Sequence, residues 1–105
     1  MSEPLEIYKN RTNIIPVSLE LDVSADSFFS EIRAERNTTS TLIATATVDF
    51  LTDGTDGEIV VKFDNSSLSA VTVKSGYMDV KRVSNGEPLQ AIEPVKVVFK
   101  DPVTA

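Results

Sequence analysis

The densest chemistry in the chain lies in seven consecutive residues, Thr52-Asp53-Gly54-Thr55-Asp56-Gly57-Glu58, which carry three carboxylates and two glycines. Calcium takes carboxylate and carbonyl oxygens from a flexible loop, so Asp53, Asp56 and Glu58 are the candidate metal ligands. Their spacing departs from an EF-hand, because Asp53 and Asp56 stand three apart and the flanking residues read as strands. The competing reading is a strand connection in which Gly54 and Gly57 supply positive φ. The sequence favours that plainer reading, and no metal or cofactor is expected.

Other chemistry is narrowed by what is missing, since the chain has no histidine and no cysteine. Ser-His-Asp triads, Cys-His pairs, His- or Cys-ligated zinc and disulfides are thereby excluded. Two carboxylates flanking a cleft, as in glycoside hydrolysis, remain available. The acids fall mostly on outward strand positions or in turns, however, so no catalytic residue is assigned and the chain is read as non-enzymatic. Sixteen acids against ten Lys and Arg give a net charge of −6, and the bases stand singly or in pairs. Nucleic acid needs clustered cations and an anionic membrane a polybasic run, so neither is an expected partner. The start, MSEPLEIYKN, lacks the apolar core of an export signal, and no apolar run reaches the ~18 residues of a spanning helix. Asn10, Asn37 and Asn65 open N-x-Ser/Thr triplets, read as polar loop residues.

The elements that must position these residues show a period of two. From Ile15 to Val23 the odd positions (Ile15, Val17, Leu19, Leu21, Val23) form one apolar face; from Thr41 to Phe50 the even positions (Leu42, Ala44, Ala46, Val48, Phe50) do the same. Ile59, Val61 and Phe63 make a third inward set, and Val95, Val97 and Phe99 a fourth. Weaker strands are expected at Leu5–Tyr8, Phe28–Arg36 and Tyr77–Val83, with a short one at Leu89–Ile92. Asn85-Gly86 is the pair a tight hairpin prefers. The one helical candidate is a short turn near 65–71, within Asp64–Val71. A length of 105 residues supports one domain, 1–105. The expected fold is an all-β antiparallel sandwich of seven to eight short strands, with a small barrel as the alternative. On these strands Ile14, Phe29, Ile43, Leu51, Val60 and Val98 fall opposite the core set. Of these, Ile14, Phe29, Ile43, Val60 and Val98 are the candidate interface residues.

Read in order, the segments resemble small tailed-phage virion proteins related to the N-terminal domain of the baseplate upper protein. The resemblance runs through Tyr8-Lys9-Asn10-Arg11-Thr12, Ile15–Leu21, Glu31-Ile32-Arg33, LIATATVDF (Leu42–Phe50) and Asp56–Val61. It continues through Ser67-Leu68-Ser69-Ala70, Gly76-Tyr77-Met78-Asp79-Val80, Asn85-Gly86, Val95-Lys96-Val97 and Val103-Thr104. It implies an immunoglobulin-like sandwich that does no chemistry and builds a tail, baseplate or fibre-associated structure as a homo-oligomer with other virion proteins. Its place would be the virion, or the host cytoplasm during assembly. The alternative is a carbohydrate- or ligand-binding β-sandwich module, calcium-dependent if the acidic loop is its site.

Overall fold

Strands that alternate apolar and polar residues must bury one face each, and here they do so against one another in two layers. The computed structural model describes residues 4–103; Thr104, and residues 1–3 and 105 of the expected domain, lie outside them. Among the described residues the order is β1 (Leu5–Tyr8), β2 (Asn13–Ser18), β3 (Ser27–Arg33), β4 (Leu42–Thr45), β5 (Thr47–Phe50), β6 (Glu58–Phe63), α1 (Asn65–Leu68), β7 (Ser75–Ser84) and β8 (Glu87–Lys100). One sheet has the order β1-β8-β7-β3-β4 and the other β2-β6-β5. The chain is therefore an all-β sandwich.

The core lies between the sheets. Ile7 of β1, Ile32 of β3, Val80 of β7 and Val97 of β8 close it from the five-stranded side, and Ile59, Val61 and Phe63 of β6 from the other. All seven are fully buried, each contributing roughly 1.5–3 kcal/mol through the apolar surface withdrawn from water. Leu68, on the single turn of α1, plugs the core beside β4. Phe28 and Phe50 meet edge to face across the layers, ring centroids 6.3 Å apart. Of the inward sets expected from Ile59 to Phe63 and from Val95 to Phe99, Ile59, Val61, Phe63, Val97 and Phe99 are buried, and Val95 is half-buried against them.

Several expectations are corrected. The sandwich is not wholly antiparallel: β1 runs parallel to β8, Leu5 beside Val97 and Tyr8 beside Lys100. The strand expected over Ile15–Val23 stops at Ser18, because Glu20 takes φ 58° and turns the chain; Leu21 is left exposed while Val23 is buried from a loop. Phe28–Arg36 likewise ends at Arg33. The run Thr41–Phe50 is two strands: at Ala46, whose amide donates to the Ser30 carbonyl (2.9 Å), the chain leaves the five-stranded sheet for the three-stranded one. Within β4, Ala44 pairs with Ile32 and Leu42 with Arg33, so Ile43 is an extra residue, a bulge that turns Leu42 outward and Ile43 onto the core. Leu89–Ile92 and Val95–Phe99 join in one strand, β8, whose register against β7 shifts twice, and Pro94 sits at one shift, where a missing N–H does no harm.

The hairpin between β7 and β8 is as expected, with Asn85 and Gly86 at φ 53° and 79° between Ser84 and Glu87. At that end Arg82 points into the sandwich, and its Nε lies 3.6 Å from Asp26 Oδ2; the two side chains are 20% and 9% exposed.

Candidate functional site

The acidic loop is built by hydrogen bonds of its own residues. Asp53 Oδ1 accepts from the Thr55 amide (3.0 Å) and hydroxyl (2.7 Å), Asp56 Oδ1 from the Glu58 amide (2.9 Å), and Asp56 Oδ2 from the Thr52 hydroxyl (3.1 Å). These are the local side-chain bonds that favour turns. The hydroxyl and amide of Thr55 hold the Asp53 carboxyl below its ordinary value of 3.8. Glu58 starts β6, opposite Ser18 on the outer surface. Among the described residues no group of three or more acids gathers in a way that would hold a metal ion.

The two glycines do something the sequence did not flag: they dock the segment between β2 and β3. The Leu19 amide donates to the Gly57 carbonyl (2.9 Å) and the Val23 amide to the Gly54 carbonyl (2.8 Å). A Cβ on Gly57 would stand 2.5 Å from the Leu21 carbonyl oxygen, and one on Gly54 2.9 Å from Ser24 Cα. Asp22 repeats the motif of Asp53, accepting from the Ser24 amide (3.0 Å) and hydroxyl (2.7 Å), and those bonds lower its pKa. The one signal available beforehand was the echo of Asp53-Gly54-Thr55 in Asp22-Val23-Ser24.

The five candidate interface residues do not form one patch. Ile43 is half-buried against the core and leaves the set. Phe29 and Val98 share the outer face of the five-stranded sheet but pair with Lys81 and Ser75 at opposite ends of β7, roughly 20 Å apart at strand rise. Ile14 and Val60 are diagonal neighbours on the three-stranded sheet, Ile14 opposite Lys62 and Val60 opposite Pro16. Leu51, beside Glu58 through its amide, extends the same face. Ile14 is 63% exposed and Leu51 56%.

The outer face of the five-stranded sheet is a charge lattice with aromatic members. Lys81 Nζ lies 5.0 Å from the Phe29 ring centre, and the Arg36 guanidinium 4.6 Å from that of Tyr77. Glu31 and Asp79 stand directly opposite one another. Glu31 Oε1 is held by Arg33 (Nε 3.1 Å, salt-bridged Nη2 3.0 Å), and Asp79 Oδ2 accepts from Gln90 Nε2 (2.7 Å). Between them is a cleft of about 90 Å³, walled by Tyr77, Pro94 and the Arg36–Thr38 loop. A cleft holding two acids is what carboxylate catalysis would need, yet this volume is far below the roughly 300–1,000 Å³ of small-molecule sites. Val98 lines an open concavity with Pro4, Glu6 and Lys100 at the β1 edge.

No protein-family model matches the chain, and no curated protein is significantly similar to it.

Proposed function

We propose that this protein is a non-enzymatic assembly protein that works through protein–protein contacts. In this reading it is an immunoglobulin-like building block of a tailed phage or prophage particle, tail, baseplate or fibre-associated, joined to copies of itself and to other virion proteins. The observation that carries the assembly part is the outer face of the three-stranded sheet. There Ile14, Pro16, Val60 and Leu51 lie on neighbouring strands, with Ile14 and Leu51 more than half exposed. Apolar residues grouped on one face favour contact with another protein, whereas scattered ones carry no such meaning. Support for the particle part is the order of segments from Tyr8 to Val103 that resembles baseplate upper proteins. The acidic loop fits the same reading, because its carboxylates serve turns.

The test is composition of the particle. Mass spectrometry of phage particles purified after prophage induction of the source strain is expected to find this chain at fixed stoichiometry to tail proteins. Its absence from intact particles in which the tail proteins are present would end the phage reading.

A further inference from the structure

The register of β2, β6 and β5 defines a three-by-three field of outward side chains. Along β2 these are Ile14, Pro16 and Ser18; beside them on β6 stand Lys62, Val60 and Glu58; and on β5 and its end, Thr47, Asp49 and Leu51. Val60 is the central position. The field is self-complementary about one diagonal. Let a second copy lie face to face, related by a twofold axis between the sheets along the line from Ser18 to Thr47. Ile14 of one copy then faces Leu51 of the other, Lys62 faces Asp49, and Val60 faces itself. Ile14 and Leu51, both more than half exposed, meet each other, the one cation meets an acid, and Pro16 lies against Glu58.

We propose that this face is a homodimer contact, isologous, with Val60 on the axis and Lys62 paired to Asp49 of the second copy. This rests on the assembly reading above and names its partner as another copy of this chain. A twofold contact uses one patch twice, so the patch must complement itself, which an arbitrary mixture of charges and apolar residues does not. Lys62 is available, since its present neighbour Asp64, at 3.6 Å, is an exposed pair of the kind that contributes little. With each copy carrying a net charge of −6, distant charges repel and only local matching favours approach. Strand spacing and rise make the field roughly 250–300 Å² per copy. That is well under the ~800 Å² per partner of a standard interface, so the contact is weak in dilute solution and strengthened where copies are held side by side.

Sedimentation velocity from about 10 µM to about 1 mM, the range in which weak interfaces are populated, tests it. The parent chain is expected to show concentration-dependent dimer. Val60→Lys abolishes it, and Lys62→Asp raises Kd about tenfold or more by setting two acids face to face. Lys62→Asp combined with Asp49→Lys restores the parent Kd to within about threefold, because the pair is reversed and not removed. Urea midpoints of all variants show that each is folded, and all three substituted positions lie on the outer surface. A parent that is monomeric at the highest concentration overturns the inference, as does a double variant that fails to recover. A monomeric chain that is still found in purified particles removes this contact and leaves the assembly reading standing.

Discussion

Replacing Gly57 by alanine is expected to be among the most damaging single-methyl changes in the molecule. Gly57 has φ +79°, a conformation that costs an L-residue about 1–2 kcal/mol. The added Cβ would stand 2.5 Å from the Leu21 carbonyl oxygen and 2.8 Å from the amide nitrogens of Glu20 and Leu21. Those are backbone atoms, so no side-chain rotation relieves the contact and the segment itself must move. Moving it loosens the Leu19–Gly57 hydrogen bond, worth a net ~0.5–1.5 kcal/mol, and strains the neighbouring Val23–Gly54 bond. Together these come to about 3 kcal/mol, a fall in Tm of roughly 12–25 °C for a domain of this size. Gly86 is the internal control: it has the same φ of +79° but nothing within 4 Å of an added Cβ. Gly86→Ala therefore carries the conformational cost alone, about 1 kcal/mol after the reduced freedom of the unfolded chain is counted. Urea unfolding followed by circular dichroism on both variants isolates the steric component as their difference. Equal losses, within about 0.5 kcal/mol, would refute the idea that the loop is a docking point for the β2–β3 segment.

Asp26→Ala is expected to cost about 1–3 kcal/mol in urea unfolding, since it strands the inward-pointing Arg82; Arg82→Met should cost less, because its stem packing is retained. Asp22 and Asp53 both have depressed carboxyl pKa values, so their bonds add stability above the ordinary value of 3.8 that is lost as pH falls through the folded-state value. The urea midpoint of Asp53→Asn should accordingly fall less steeply than the parent's below about pH 4. Calcium should leave the melting temperature unchanged, as Asp53 and Asp56 are bonded to their own turns; a rise on titration would reinstate the metal reading. Ile43→Ala should destabilise by at least about 1 kcal/mol more than Leu42→Ala in the same unfolding assay, because the bulge turns Ile43 onto the core and leaves Leu42 45% exposed.

Alternation in the sequence distinguishes inward from outward and is silent on which sheet a strand joins. The clearest case is Leu42–Phe50. Ala44, Ala46, Val48 and Phe50 all face the core although the chain changes sheets at Ala46, because the core lies between the layers and an inward residue stays inward on crossing. An unbroken pattern thus hides a topological break. The Leu42-Ile43 pair shows a second limit, for two adjacent apolar residues fit either phase, and only the bulge decides between them. Asn85-Gly86 was legible because its requirement is local, both residues needing positive φ. Leu21, exposed, and Val23, buried as expected but from a loop and not from a strand, depart from the pattern for the opposite reason. The left-handed turn at Glu20 is imposed by docking on Gly57, a contact 37 residues away in sequence from Glu20 that no local pattern records.

The same blindness explains the scattered interface candidates. A period of two lists every apolar residue on the wrong phase, so Phe29, Val98, Ile14 and Val60 stand together in the sequence reading although they belong to two opposite faces of the sandwich. Lateral neighbours are set by register, which depends on which strands pair and where. Only with Ile14 placed against Lys62, Val60 between Pro16 and Asp49, and Leu51 at Glu58 does a field with its own symmetry emerge. Its charged members were unremarkable in the sequence, one lysine and two acids among twenty-six charged residues. Their meaning lies in position: exchanging Lys62 with Glu58 would set an acid against Asp49 across this axis, whereas exchanging it with Asp49 keeps the pair.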